Sequence, residues 1–523
     1  MPFTIHLSIV IFLPLAAGLV AAFLPPKVGR WLVVGATLGV LAYVVAMLID
    51  FDGESGQLRY VTDANWISEL GIRWQLGVDG LNLFLIALTA LLWVPATVWA
   101  ALRPGSGARA IDDRAALLPP ESPRLFMFHM ALAETAVLGA FCAQDLAVFV
   151  VFFDLMLVPF YFLIGGWGAG DRVGATTKFV IYTLVGSLLM LAGAIALGVL
   201  ATPEGGELSY SLAVLEERIV PEGTQKWIFL LFAIAFVIKA PLFPFHGWVV
   251  DTYRATPTPV LVLLSAVLSK VGVYAFLRIV LPILPDASQY FQELMLILAV
   301  FSILYGSILA FSQDEARLVV AYSSIAQLGF IVLGIFSLDD KGAQGALMQM
   351  VNHGLVVAPL FFIIAALSAR AGGSPSLARM GGMAMRAPVL AALFLIVTLA
   401  TLAMPGSPNF VGEILILFGT FEDNLVYGLV ASVGIVLAAV YMIRVFQKAM
   451  HNRVGPDAKP AELNGLELGA ILPLTMVVVA LGVYPQLILD RTEETVRAKV
   501  EPAGKGSDPQ ARSGSDGAGG LTP

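Results

Sequence analysis

The chain has a single cysteine, Cys142, among 523 residues. That excludes a disulfide, an iron–sulfur ligand set and a Cys-based zinc site within the chain. Charge is also scarce: Asp, Glu, Lys and Arg make up 13% of the residues, against about 25% in a soluble domain. No G-x-G-x-x-G fingerprint follows a strand and no P-loop is present, so nucleotide and redox chemistry would have to come from other chains. The net charge of −7 points to neither nucleic acid nor an anionic lipid surface. The amino terminus lacks a basic n-region, and the stretch Met1–Arg30 reads as a retained first helix rather than a cleaved signal peptide.

What is abundant is apolar sequence, 58% of the chain. Runs of about 20 such residues mark membrane spans. About fourteen are expected, at 4–24, 30–50, 80–102, 124–143, 146–166, 176–200, 226–247, 257–281, 288–311, 316–337, 343–368, 387–419, 425–449 and 466–489. The fold class is therefore an all-α membrane protein. The segment 491–523 turns charged and rich in Gly, Ser and Pro, and is expected to be a disordered tail. One set of loops is rich in Lys and Arg (Arg103, Arg109, Arg114, Arg172, Arg254, Arg317, Arg370, Arg379, Arg386, Lys448), and the positive-inside rule makes it cytoplasmic. Both termini then lie on the outer side.

Two spans carry internal breaks, KAPLFPF at Lys239–Phe245 in the seventh and MPGSPNFVGE at Met404–Glu413 in the twelfth. Corresponding interruptions in two halves suggest a repeated unit with sites near the breaks. An odd number of helices per unit requires opposite insertion. The expected layout is spans 1–3 in 1–123, one five-helix repeat (spans 4–8) in 124–281, an inverted copy (spans 9–13) in 288–449, and span 14 in 466–489.

Ionisable residues inside the spans are the functional candidates, since a charge at the bilayer centre costs about 2.5–3.5 kcal/mol on insertion scales. Lys239 follows a long apolar stretch, too far from a helix end to snorkel. Desolvated lysines can become reversible proton carriers. Lys270 lies in VLVLLSAVLSKVGVYAFL and invites the same reading, with water or a third polar group joining it to Lys239. Asp154, within FVVFFDLMLVPFYF, is a candidate partner that tunes Lys239; a structural contact between helices is the plain alternative. His353 could shuttle protons or simply pack. His246 could do the same, or cap the first break. Glu413 could receive a proton, or cap the half-helix that follows the second break. Weaker candidates are Glu134, which could interact with Asp154, and Lys178, Tyr182, Asp314, Arg317, Ser323 and Ser324 near helix ends.

These residues sit in segments that resemble the antiporter-like subunits of proton-pumping NADH:quinone oxidoreductase, respiratory complex I. The segments are LGVDGLNLF, VFFDLMLVPFYFLIGGWG, TKFVIYTLVGSLLM, KAPLFPFHGWVVDTYRATPTPVLVLLSAVLSKVGVYAFLR, QDEARLVVAYSSIAQLGF, QMVNHGL, LAMPGSPNFVGEILIL and GVYPQLILD, running from Asp79 to Asp490. The resemblance implies proton transfer through Asp154, Lys239, Lys270, His353 and Glu413, supported by Glu134, His246, Ser324 and Gln327. It also implies a bacterial inner-membrane location, flanking L and N subunits, and a non-redox role. FMN, iron–sulfur clusters and quinone would be held by other subunits, with no cofactor or metal in this chain. Three positions depart from the family pattern: Asp154 stands for the usual glutamate, Gln327 for a histidine and Tyr253 for a histidine. Glu413 stands where related subunits and the Mrp antiporters usually have lysine, which separates this chain from the rival reading of a cation/proton antiporter subunit. A second rival, an unrelated transporter whose lysines hold an anionic substrate, lacks these motifs.

Overall fold

The computed structural model describes residues 7–51, 56–103, 122–456, 458–459 and 461–504. The loop arginines Arg109 and Arg114 and the end of the tail lie outside the described residues. The chain is mostly helical, and eleven of its described helices are long and apolar enough to cross a membrane. It opens with α1 (Leu7–Phe23) and α2 (Pro26–Asp50). A hairpin of β1 (Arg59–Ile67) and β2 (Ile72–Val78) follows, pairing Thr62 with Leu76 and Asn65 with Arg73. This hairpin corrects the all-α expectation. Gly71, at φ 65°, closes its turn in a conformation that favours glycine. Trp74 anchors the hairpin, packing edge-on to Trp66 and donating to Ser8 Oγ at 2.9 Å.

The chain continues with α3 (Leu83–Leu102), α4 (Pro123–Cys142), α5 (Leu146–Trp167), α6 (Arg172–Leu200), α7 (Glu222–Lys239) and α8 (Gly247–Ala255). Next come α9 (Thr258–Ile283), α10 (Gln292–Ser312), α11 (Ala316–Phe336) and α12 (Asp340–Arg370). The last are α13 (Pro388–Thr401), α14 (Pro408–Asp423), α15 (Leu425–Met450), α16 (Gly465–Val483) and α17 (Gln486–Val500). Helices α9, α11 and α12 are almost wholly enclosed, whereas α2, α6, α15 and α16 turn large apolar side chains such as Ile181, Leu188 and Val436 outward. Side chains on the three inner helices are therefore shielded from lipid.

Both sequence breaks are real. Between α7 and α8 the chain leaves the helix at Ala240–His246, and the freed groups find partners: Phe243 N–H donates to Ser302 Oγ at 2.9 Å, and Trp248 Nε1 donates to Ile238 O at 3.0 Å. Between α13 and α14 the break covers Leu402–Ser407, with Ala403 and Gly406 at positive φ. Helix α9 is also irregular. Two π-helical segments, Leu264–Leu268 and Phe276–Val280, flank the regular turn Ser269–Ala275.

The segment from Arg491 to Val500, expected to be tail, is helical. Ile488, Thr492, Thr495, Val496 and Val500 fall on one buried face of α17, and the charges that suggested disorder occupy the other. Lys499 fixes the far end by pairing with Glu216 at 2.6 Å.

Candidate functional site

Lys239 is the last residue of α7, and only 3% of its surface is exposed. Its placement excludes snorkelling. The ammonium lies over the Phe153 ring, 4.4 Å from the centroid, and reaches Phe153 O at 3.5 Å, the long limit of a hydrogen bond. Asp154, the next residue on α5, is half-buried and interacts with the Lys239 charge and with Ser187, yet makes no direct ion pair with the lysine. Its Oδ1 is buried without a hydrogen-bond partner.

Helix α9 meets α7 through Gly272. A Cβ at Gly272 would lie 2.8 Å from Phe236 O and 3.2 Å from Lys239 Cβ, so the close approach depends on glycine. Lys270, two residues earlier on α9, is fully buried. Its Nζ donates to Ser265 O at 2.8 Å, within the first π segment, and to Ser269 Oγ at 3.3 Å. It also contacts His353 Nδ1 at 2.7 Å. An ammonium beside that nitrogen requires it to be the acceptor. Gly354 allows this contact: a Cβ there would lie 2.8 Å from Ala266 O. Lysine and histidine thus form a direct pair, which the sequence left unassigned. No side-chain hydrogen bond joins Lys239 to Lys270 among the described residues.

Glu413 is buried in α14, well past its start. Ser407, whose Oγ accepts from Phe410 N–H at 3.4 Å, is the cap of α14. The capping alternative for Glu413 is therefore corrected. Glu413 Oε1 accepts from Gln327 Nε2 at 2.8 Å and from Gln349 Nε2 at 3.4 Å, and Gln349 also donates to Gln327 Oε1 at 2.7 Å. Gln327 thus touches the acid directly. Gln349 was missed by the sequence reading, although it lies one helical turn before His353 on α12. Asn352 was missed too; it bonds Pro408 O at 2.7 Å at the second break. Between the Lys270–His353 pair and Glu413, buried polar atoms lack protein partners: His353 Nε2, Asn352 Oδ1, both side-chain heteroatoms of Asn409, Gln349 Oε1 and Glu413 Oε2. Groups of this kind favour bound water.

The supporting candidates are more scattered. Glu134 is fully buried on α4 with neither oxygen hydrogen-bonded, so no hydrogen bond joins it to Asp154. His246 faces Tyr305, with Nε2 3.2 Å from its hydroxyl, and its side chain does not cap α8. Ser324 Oγ is buried and unbonded, while Ser323 pairs with Tyr441 at 2.9 Å. Tyr253 is buried beside Ser265. Lys178 pairs with Asp251, and Asp314 with Arg444 and Lys448, all near helix ends. Together with Asp171, Arg254, Glu315 and Arg317, the Lys178–Asp251 pair borders an open cavity of about 590 Å³ on the Arg-rich face. Arg370, read as a loop charge, is instead buried and holds Glu467 at 2.8 Å.

The family described as "NADH:quinone oxidoreductase/Mrp antiporter, TM" matches residues 143–438. NADH-quinone oxidoreductase subunit M of Mycobacterium tuberculosis (strain ATCC 25618 / H37Rv) is 36% identical over 528 residues, covering 95% of this chain and 94% of that protein. The subunit M of Rickettsia typhi is 33% identical over 495 residues, covering 92% and 96%. A chain of respiratory complex I from Thermus thermophilus with bound NADH superposes with a TM-score of 0.84 at 30% identity, covering 95% of this chain and 100% of that one. A chain of the Mrp complex from Dietzia sp. DQ12-45-1b gives 0.81 at 21% identity, covering 96% and 98%, a likeness of fold.

Proposed function

Because the chain belongs to the NADH:quinone oxidoreductase and Mrp antiporter transmembrane family, we propose that it is a proton-translocating membrane-arm subunit of a complex I. It would hold neither NADH nor quinone; FMN, iron–sulfur clusters and quinone would belong to other subunits, with L- and N-type subunits as flanking neighbours. The breaks at Ala240–His246 and Leu402–Ser407 support counting each broken helix as one span. With α1 included, that count gives about fourteen spans, arranged as an inverted pair of five-helix repeats. Both termini would then face the outer side of a bacterial inner membrane.

In this reading the proton passes along the buried polar line. A change of charge next to Asp154 would alter the proton affinity of Lys239. The proton would move to Lys270, whose Nζ and His353 Nδ1 can exchange it across a hydrogen bond. From His353 it would reach Glu413 through the orphaned Asn352, Asn409 and Gln349 atoms, with water completing the path, and then leave outward. Gln327 cannot titrate; it would orient Glu413. The observation that carries the reading is the 2.7 Å contact between Lys270 and His353, from different helices, inside the membrane-shielded core.

The test is Lys270→Ala in the assembled complex, assayed in inverted membrane vesicles. NADH-driven proton uptake should fall at least tenfold. NADH oxidation by an artificial acceptor that bypasses quinone should persist, since it reports complex content. Unchanged proton uptake would sink the relay.

A further inference from the structure

The motif LGVDGLNLF has no part in the proton line, yet it builds a heavily bonded buried ion pair. Asp79, in the loop between β2 and α3, receives Arg278 bidentately: Nη1 to Oδ2 and Nη2 to Oδ1, both at 2.6 Å. Neither side chain is more than 5% exposed. The remaining bonds are also taken. Arg278 Nε donates to Tyr274 Oη at 2.8 Å, and Tyr274 donates to Phe141 O at 3.2 Å. Asn82 Nδ2 binds Phe141 O at 2.8 Å, and its Oδ1 accepts from Asp79 N–H at 2.9 Å. Burial alone would raise the Asp79 carboxyl, but the charge and hydrogen bonds of Arg278 outweigh it and hold it below the usual range.

Arg278 lies in the second π segment of α9, and Lys270 stands two residues after the end of the first. Lys270, Tyr274 and Arg278 are spaced four apart, so they follow one face of the helix. A π segment is a weak point in a helix, where the turns can shift register. Lys270 meets His353 at 2.7 Å, so a small rotation of α9 would break their contact. We propose that Asp79 and Arg278 are positioning residues that lock the rotation of α9 and so hold Lys270 against His353; the assignment rests on the relay reading above. A planar fork bonded to a fixed carboxylate resists rotation far better than a single hydrogen bond.

The test is a double-mutant cycle in the assembled complex, with proton uptake normalised to NADH oxidation by the artificial acceptor. Asp79→Asn should lower uptake at least fivefold, Asp79→Glu should restore part of it, and Asp79→Asn should add nothing in a Lys270→Ala background. Additive losses in the double variant, or full uptake in Asp79→Asn, would overturn the proposal. If Asp79→Asn does not assemble, the exchange Asp79→Arg with Arg278→Asp is read instead; failure of both to assemble makes the pair a folding requirement and overturns it. If Lys270→Ala alone keeps full uptake, the relay reading fails first, independently of Asp79.

Discussion

Asp154 lies next to Lys239 in the fold without bonding it. The Lys239 ammonium rests over the Phe153 ring, with no direct ion pair to the Asp154 carboxylate. Asp154 still acts on that lysine through its charge. Asp154→Asn should therefore cut proton uptake by about tenfold or more, since tenfold corresponds to only ~1.4 kcal/mol in proton affinity. Asp154→Glu should keep or raise uptake, because the longer arm can meet the ammonium. Vesicle assays of the two variants at matched complex content check this, and an active Asp154→Asn would remove Asp154 from the path. Lys239, Lys270, His353 and Glu413 are legible in the sequence because a titratable group inside an apolar run has few innocent explanations. Gln349, Asn352 and Asn409 are not, because a neutral amide in a span is unremarkable until its neighbours are known. Arg278 escaped for a different reason: near the end of an apolar run it reads as an ordinary interface charge, and only its Asp79 partner, far away in sequence, shows it to be buried.

Elements come together here where glycines permit. Gly272 brings α9 onto α7, Gly354 brings α12 onto α9, and Gly345 brings α12 onto α14, where a Cβ would lie 2.7 Å from Ile416 N. These contacts assemble the polar line from separate helices. Gly272→Ala should push against Phe236 O and the Lys239 stem, a strain of about 1–3 kcal/mol, and should lower both the Tm of the purified complex and its proton uptake. Gly35→Ala is the control, since a Cβ at Gly35 meets nothing within 4 Å and Ala favours the helix. Equal Tm shifts for the two variants would refute the packing argument. The helical breaks are legible from proline and glycine chemistry, because Pro241 with Pro244, and Pro405 with Gly406, set two helix-destabilising residues close together. The hairpin is not, because RYVTDANWI is polar, short and stabilised by pairing with β2. Helix α17 is missed for the opposite reason. Composition alone suggested disorder, whereas the spacing of Ile488, Val496 and Val500 supplies a face for burial against the rest of the protein.

At the scale of the whole molecule, a translocation path needs two sides, and the polar line does not itself say which is which. The loop charges predict it. The cavity bordered by Lys178, Arg254 and Arg317 opens on the Arg-rich face, and the hairpin and α17 lie with the acidic loops on the other. By the positive-inside rule the Arg-rich face is expected to be cytoplasmic, which would set the cavity on that side and the Asp79–Arg278 pair near the outer one. Impermeant maleimide labelling can test this orientation directly, because the only native cysteine, Cys142, is buried. Glu204 and Ala378 are exposed and lie in loops predicted to face opposite sides. Glu204→Cys should label in right-side-out spheroplasts, and Ala378→Cys only in inverted vesicles. The reverse pattern would flip the whole assignment and place the cavity at the exit. Labelling of both from one side would break the span count instead, since an odd number of crossings must separate them.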